Sequence, residues 1–247
     1  MRYPEPLVDA VLLRRYKRFL ADVALPGGEE VTAWCPNPGS MKSLHTADEP
    51  ACRVAFVDDP KRKLKWTLEQ IEVDGAWVMA HPGRANAVVG EALAAERVPE
   101  LAGYDAITPE QRYGSRRSRI DFLLTGGAGP DAYVEVKNVT LAEGRAGAFP
   151  DSVSARGTKH LRELMEVVEA GARGVLLFHV GRPDVDHVRP ADAIDPEYGA
   201  TLREAAAAGV EVLAYRCAIT RETLRLADPL PVDLSCSPPS AGSSQRA

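Results

Sequence analysis

The most informative stretch of the chain runs Ser118-Arg119-Ile120-Asp121-Phe122-Leu123-Leu124, a Thr-Gly-Gly-Ala-Gly-Pro-Asp turn over 125–131, then Ala132-Tyr133-Val134-Glu135-Val136-Lys137. Two β-rich runs flanking a glycine-rich turn read as a hairpin. Centred on Ala128, it sets Asp121 opposite Glu135 and Leu123 opposite Tyr133. Opposed Cβ atoms lie about 4.5–5.5 Å apart, which brings both carboxylates within reach of one divalent cation. Lys137, two residues beyond Glu135, falls on the same face because side chains alternate along a strand.

Two acids and an ammonium suit phosphodiester chemistry. Mg²⁺ held by one or two carboxylates keeps positions for water and phosphate oxygens, and the lysine orients water or offsets developing negative charge. The spacing alone is common: Asp59-Pro60-Lys61 is a second acid-x-Lys copy, and a same-face ion pair between Glu135 and Lys137 is the competing reading.

Downstream, a helix over Thr158 to Ala170 carries an apolar stripe of Leu161, Leu164, Met165 and Val168. The run Val175 to Phe178 reads as a strand covered on both faces. A further helix opens on the Asp195-Pro196 cap and stops at Gly209, followed by a strand over 210–219. Upstream, Asn86 is a candidate cap for an alanine-rich helix, and His81-Pro82-Gly83 marks a boundary near residue 82. From Leu7 to His81 five β runs are expected, the first a long bent strand across Leu13 to Val23 with a bulge or one exposed face. This predicts a small oligonucleotide-binding-like β-barrel over 1–82, an α/β sandwich with a mixed sheet over 83–234, and a disordered tail over 235–247.

The 247 residues, 45% hydrophobic and 26% charged, have globular composition. No apolar run is long enough to span a membrane, and no secretory leader is evident, so a soluble cytoplasmic protein is expected. Cys35, Cys52, Cys217 and Cys236 lack metal-ligand or disulfide spacing. The net charge of −5 gives no overall attraction to nucleic acid. Local basic runs remain: Arg112, Arg116, Arg117 and Arg119, and Lys61, Arg62, Lys63 and Lys65, each also readable as a solvated face.

The segments Cys35-Pro36-Asn37-Pro38-Gly39-Ser40-Met41, Leu64 to Glu69, Ser118 to Leu124, Val134 to Lys137, and Phe149-Pro150-Asp151 with Arg156 to Leu161 resemble the bacterial and archaeal sugar fermentation stimulation protein A family. The likeness runs from about Leu7 to Leu234. It implies an oligonucleotide-binding barrel joined to a PD-(D/E)XK nuclease-like domain, DNA as partner, and nuclease-like roles for Asp121, Glu135 and Lys137, with Mg²⁺ or Mn²⁺ on Asp121 and Glu135. Pro38 stands where the family usually has a small hydroxyl residue. The family name reflects a proposed regulatory role in sugar metabolism, so a non-catalytic DNA-binding regulator of sugar (maltose) genes is the competing function. A hydrolase of small phosphorylated molecules is a third.

Glu91, on the helix before the sheet, is a candidate extra acid near the metal, or a solvent-facing glutamate. Arg119, Arg156, Lys159 and His160 are candidate phosphate contacts, the last three at a helix entry that itself favours anions. In the barrel, Arg14, Arg15, Lys17 and Arg18 are candidates for DNA-backbone contacts. Trp34, Trp66, Trp77 and Tyr16 stack bases only if exposed. Cys35 lacks an adjacent base, and His45, His81, His179 and His187 lack ligand spacing.

Overall fold

The computed structural model describes residues 1–44, 47–113 and 118–235. The tail over 236–247 and His45 lie outside the described residues. Strands β1 (Val8–Tyr16), β2 (Leu20–Ala24), β3 (Glu30–Trp34), β4 (Ala51–Phe56), β5 (Trp66–Val73) and β6 (Ala76–Met79) build the first unit. Their order is β3-β2-β1-β4-β5-β6. Parallel pairing of β3 with β5, Ala33 opposite Trp66 and Trp34 opposite Thr67, closes five strands into a barrel. Strand β6 hairpins off β5 through Asp74 and Gly75, both at positive φ, the geometry an Asp-Gly turn favours. Alternating burial puts Leu12, Ala21, Val23, Ala33, Cys52, Val54 and Leu68 inside.

The long bent first strand is corrected. The chain reverses at Lys17 and Arg18, whose φ values of 47° and 64° make β1 and β2 a hairpin. Two consecutive left-handed residues without glycine or asparagine leave no turn signal. The expected bulge is present in β1, between Leu12 and Arg14.

The second unit contains β7 (Ala106–Tyr113), β8 (Ser118–Thr125), β9 (Ala132–Val139), β12 (Arg173–Val180), β14 (Glu211–Ile219) and β15 (Leu224–Pro229). They form a mixed sheet ordered β15-β14-β12-β9-β8-β7, its three central strands parallel. Helix α1 (Ala85–Ala94) packs Val88, Val89 and Leu93 on one face, against Phe122, Val134 and Val136. Helices α2 (Ala155–Glu169) and α3 (Pro196–Ala207) cover the other with Leu161, Leu164, Tyr198 and Leu202. Ser154 caps α2 through Gly157 N–H; Asp195 caps α3 through Tyr198 N–H and also accepts from Ser154 N–H, so one carboxylate joins both helix entries. A small sheet of β10 (Leu141–Glu143), β11 (Ala146–Phe149) and β13 (His187–Pro190) stands beside them. Its strands, three or four residues each, are too short to announce themselves in sequence. Cys35, Cys52 and Cys217 are free and buried. No helix among the described residues is long and apolar enough to cross a membrane.

The two units are bonded to each other. Met79 N–H donates to Gly181 O, Gln70 Nε2 to Thr220 O, Ser43 Oγ to Thr140 O, and Arg182 Nη1 to Ser43 Oγ. His179 lies fully buried at this junction, with Nδ1 2.9 Å from Asn138 Oδ1. Burial pulls its imidazole down to about 4 from 6.5. The unfolded chain therefore takes a proton first as pH falls, and this contribution to stability is full above about pH 6.5 and lost as pH falls through about 4. Urea unfolding across this window is expected to show a shallower loss of stability for His179→Gln than for wild type.

Candidate functional site

The hairpin register is as read from sequence: Leu123 faces Tyr133, with Phe122 opposite Val134 and Leu124 opposite Ala132. The ladder then ends and β8 rolls over, for Ile120 packs with the α2 side of the sheet while Phe122 packs with the α1 side. Asp121 stands at that point. Its Oδ2 accepts from Val136 N–H at 2.7 Å, taking the place of a strand partner, and its Oδ1 accepts from Asn86 Nδ2 at 2.7 Å. On the neighbouring strand β7, Glu110 has a φ of 56° beside the same point, although the β7–β8 register is unbroken across it.

Glu135 is 3% exposed. Its Oε1 takes Lys137 Nζ at 2.6 Å and the His160 Nδ1 from the first turns of α2. Arg156 Nε donates to His160 Nε2 at 3.3 Å, which assigns the ring proton to Nδ1 and makes His160 a donor to Glu135. The other oxygen, Glu135 Oε2, is buried without a partner. Burial works to raise the Glu135 carboxyl, but His160 and Lys137 together outweigh it and hold it below the usual range. Asp121 is raised, first by burial and then by the Glu135 charge. Two neighbouring acids are thus driven apart in proton affinity.

A second polar cluster adjoins the first. Lys159 Nζ donates to Ser118 Oγ at 2.9 Å and Ser118 Oγ donates to Glu163 Oε1 at 2.7 Å. Glu163 is fully buried with Oε2 unpartnered, as is the Tyr113 hydroxyl. Burial, then the charges of Glu135 and Glu163, keep the Tyr113 phenol protonated. Asn86, Ser118, Tyr113 and Glu163 were not singled out as site residues from sequence. Only Glu163 carried a signal, lying one helical turn from Lys159 and His160.

Other expectations shift. Glu91 is 63% exposed and pairs with the Met1 ammonium; Asn86 is the α1 side chain that reaches Asp121, since five residues of helix separate the two by roughly 140°. Nor does Asn86 cap the helix, which begins earlier through a tight turn over Pro82–Arg84. His160, at 4% exposure, is packed onto Glu135 rather than offered to phosphate. Arg15 donates through Nη2 to the carbonyls of Arg18, Asn37 and Gly39 and Arg14 pairs with Asp22, whereas Arg18 is exposed and gives Nε and Nη2 to the carbonyl of Pro38. Lys17 is exposed. Arg156 is exposed and Lys159 partly so. Arg119 faces Arg112 across β7 and β8, both exposed. Like charges directly opposed repel, and a phosphate between them would relieve this. Arg116 and Arg117 lie outside the described residues.

Residues 13–80 match the family described as SfsA N-terminal OB domain, and 83–223 match the sugar fermentation stimulation protein RE domain. The chain is 52% identical over 234 residues to a sugar fermentation stimulation protein homolog of Geobacter metallireducens, covering 95% of this chain and all of that one. A homolog from Geotalea uraniireducens is 53% identical, with 94% and 99% covered. The structure of Pyrococcus furiosus SfsA in complex with Ca²⁺ superposes with a TM-score of 0.82 at 26% identity, covering 94% of this chain and 98% of that one.

The raised Asp121 gives a test. In metal-free protein near neutral pH, Asp121→Asn removes one of two repelling buried charges. Its thermal midpoint is expected at or above that of wild type, whereas Mg²⁺ is expected to stabilise wild type alone.

Proposed function

The chain belongs to the sugar fermentation stimulation protein family, and we propose that it binds DNA and hydrolyses phosphodiester bonds at a site that uses Mg²⁺ or Mn²⁺. The observation that carries this reading is Glu135: one oxygen is clamped by Lys137 and His160, the other is buried and unpaired, and Asp121 stands close enough to feel its charge. An unpaired buried carboxylate oxygen costs about 1–3 kcal/mol or more unless something fills it. A hard divalent cation does so.

The donors fit such an ion. Among the described residues no group of three or more His, Cys, Asp or Glu is arranged to hold a metal. Asp121 and the unpaired Oε2 of Glu135 would be its protein ligands, with water and phosphate oxygens in the remaining positions, the usual habit of Mg²⁺. When bound, the cation supplies Lewis-acid stabilisation to the phosphate and activates water. Lys137, pinned by Glu135, has its Nζ held in one direction and orients the water that attacks phosphorus as the bond to the leaving oxygen breaks. His160 and Lys137 hold Oε1 of Glu135, which would leave Oε2 for the ion. Arg156, Lys159, Arg119 and Arg112 contact flanking phosphates, and Lys17 adds a cation on the barrel. The acidic whole molecule leaves DNA attraction to these local cations.

The test is scission of single-stranded, duplex and nicked DNA with Mg²⁺ or Mn²⁺. Glu135→Gln and Lys137→Ala are expected to lower the rate by about a hundredfold or more, with DNA affinity changed only a few-fold. DNA binding without scission under any metal would instead make the protein a DNA-binding regulator.

A further inference from the structure

A cavity of about 260 Å³ lies between the two units, beyond the carboxyl end of β9. That is where open α/β sheets receive ligands. Its walls come from both sides: Arg18, Asn37 and Pro38 from the barrel, and Asn138, Phe149 and Asp151 from the sheet domain. Asn138 directly follows Lys137 in sequence, with its side chain on the other face of β9, so the cavity opens at the end of the strand that carries the proposed chemistry.

The cavity is held in shape. The Asn37-Pro38-Gly39 loop is bound by Arg15 through two carbonyls and by Arg18 through a third. Ser40 Oγ donates to Asp151 O at 3.3 Å. Gly39 lies so close to Asp151 that a Cβ there would run into the carboxylate, which explains glycine at a position without unusual backbone angles. Asn138 Oδ1 is engaged by the buried ring of His179, leaving the amide nitrogen as the end free to donate.

The chemistry on these walls is mixed in a particular way. Asp151 supplies a carboxylate acceptor, Asn138 an amide donor, and Phe149 with Pro82 and Leu141 an apolar wall. The Arg18 guanidinium stands at the lining with a cationic face. A nucleotide presents the complement: a flat apolar ring, donors and acceptors on one edge, and an anionic phosphate. Beyond Pro82, the preceding residue His81 meets the Trp34 ring edge-on at 5.7 Å. Trp34 is 38% exposed and flanked by Arg62, a partner for a neighbouring base.

We infer that this cavity takes one unpaired nucleotide, its base between Asp151 and Asn138 and its phosphate toward Arg18, beside the phosphodiester presented to Lys137. This rests on the nuclease-like reading and sharpens it: the preferred DNA carries an unpaired nucleotide, either in a single strand or extruded from a duplex at the cost of its stacking. The same chemistry would admit a free mononucleotide.

The full chain in EDTA is titrated into single-stranded oligodeoxynucleotides carrying 2-aminopurine, into the same strands with one abasic position, into blunt duplex, and into deoxynucleoside monophosphate. Wild type is expected to bind the intact strand about tenfold or more tightly than the abasic strand. Asn138→Ala and Asp151→Asn, compared below their thermal midpoints, are expected to erase that difference. Equal affinity for intact, abasic and duplex DNA in wild type would overturn the cavity's role and leave DNA binding standing. Monophosphate binding that is lost in both variants, without DNA binding, would support the cavity as a nucleotide site and overturn the DNA reading. Binding of neither ligand would overturn both.

Discussion

A buried carboxylate must be neutralised, and the site is organised around that requirement at Glu135. Its charge is removed from water, where breaking one partner of a buried pair typically costs about 3–5 kcal/mol. Lys137 comes from the same strand face, His160 from the entry of α2. Packing of α2 onto the sheet is therefore also what brings His160 to Glu135. The unpaired Oε2 is the residue of this arrangement that apolar packing does not explain.

Asp121 solves a second backbone problem at the same place. Where β8 rolls from one face of the sheet to the other, Val136 N–H is satisfied by the Asp121 side chain. The carboxylate is thus fixed by the strand geometry it completes, and Asn86 holds its other oxygen from the opposite layer. Preorganisation of this kind leaves little freedom to lose when a cation or phosphate arrives.

Much of this was legible from sequence because hairpin register follows from turn length and alternation, which placed Leu123 against Tyr133 and Glu135 with Lys137. The Asp195 cap and the α2 stripe were equally plain. What sequence concealed were features decided by tertiary context. Lys17 and Arg18 adopt a turn conformation their residue types rarely choose. Arg15 turns its Nη2 to the carbonyls of Arg18, Asn37 and Gly39. Glu91 and Asn86 share a helix, and only the docking angle of α1 decides which one meets Asp121. His160 looked like an exposed helix-entry cation and is instead sealed against Glu135.

The central claim is that Asp121 and the unpaired oxygen of Glu135 hold a divalent cation beside Lys137. Mn²⁺ introduced into crystals of the protein and located by its anomalous scattering tests it most directly. The account predicts a peak about 2.0–2.3 Å from Glu135 Oε2 and from an Asp121 oxygen, absent in Glu135→Gln crystals. Crystals in saturating Mn²⁺ with no peak there, and Glu135 still held only by Lys137 and His160, would contradict it.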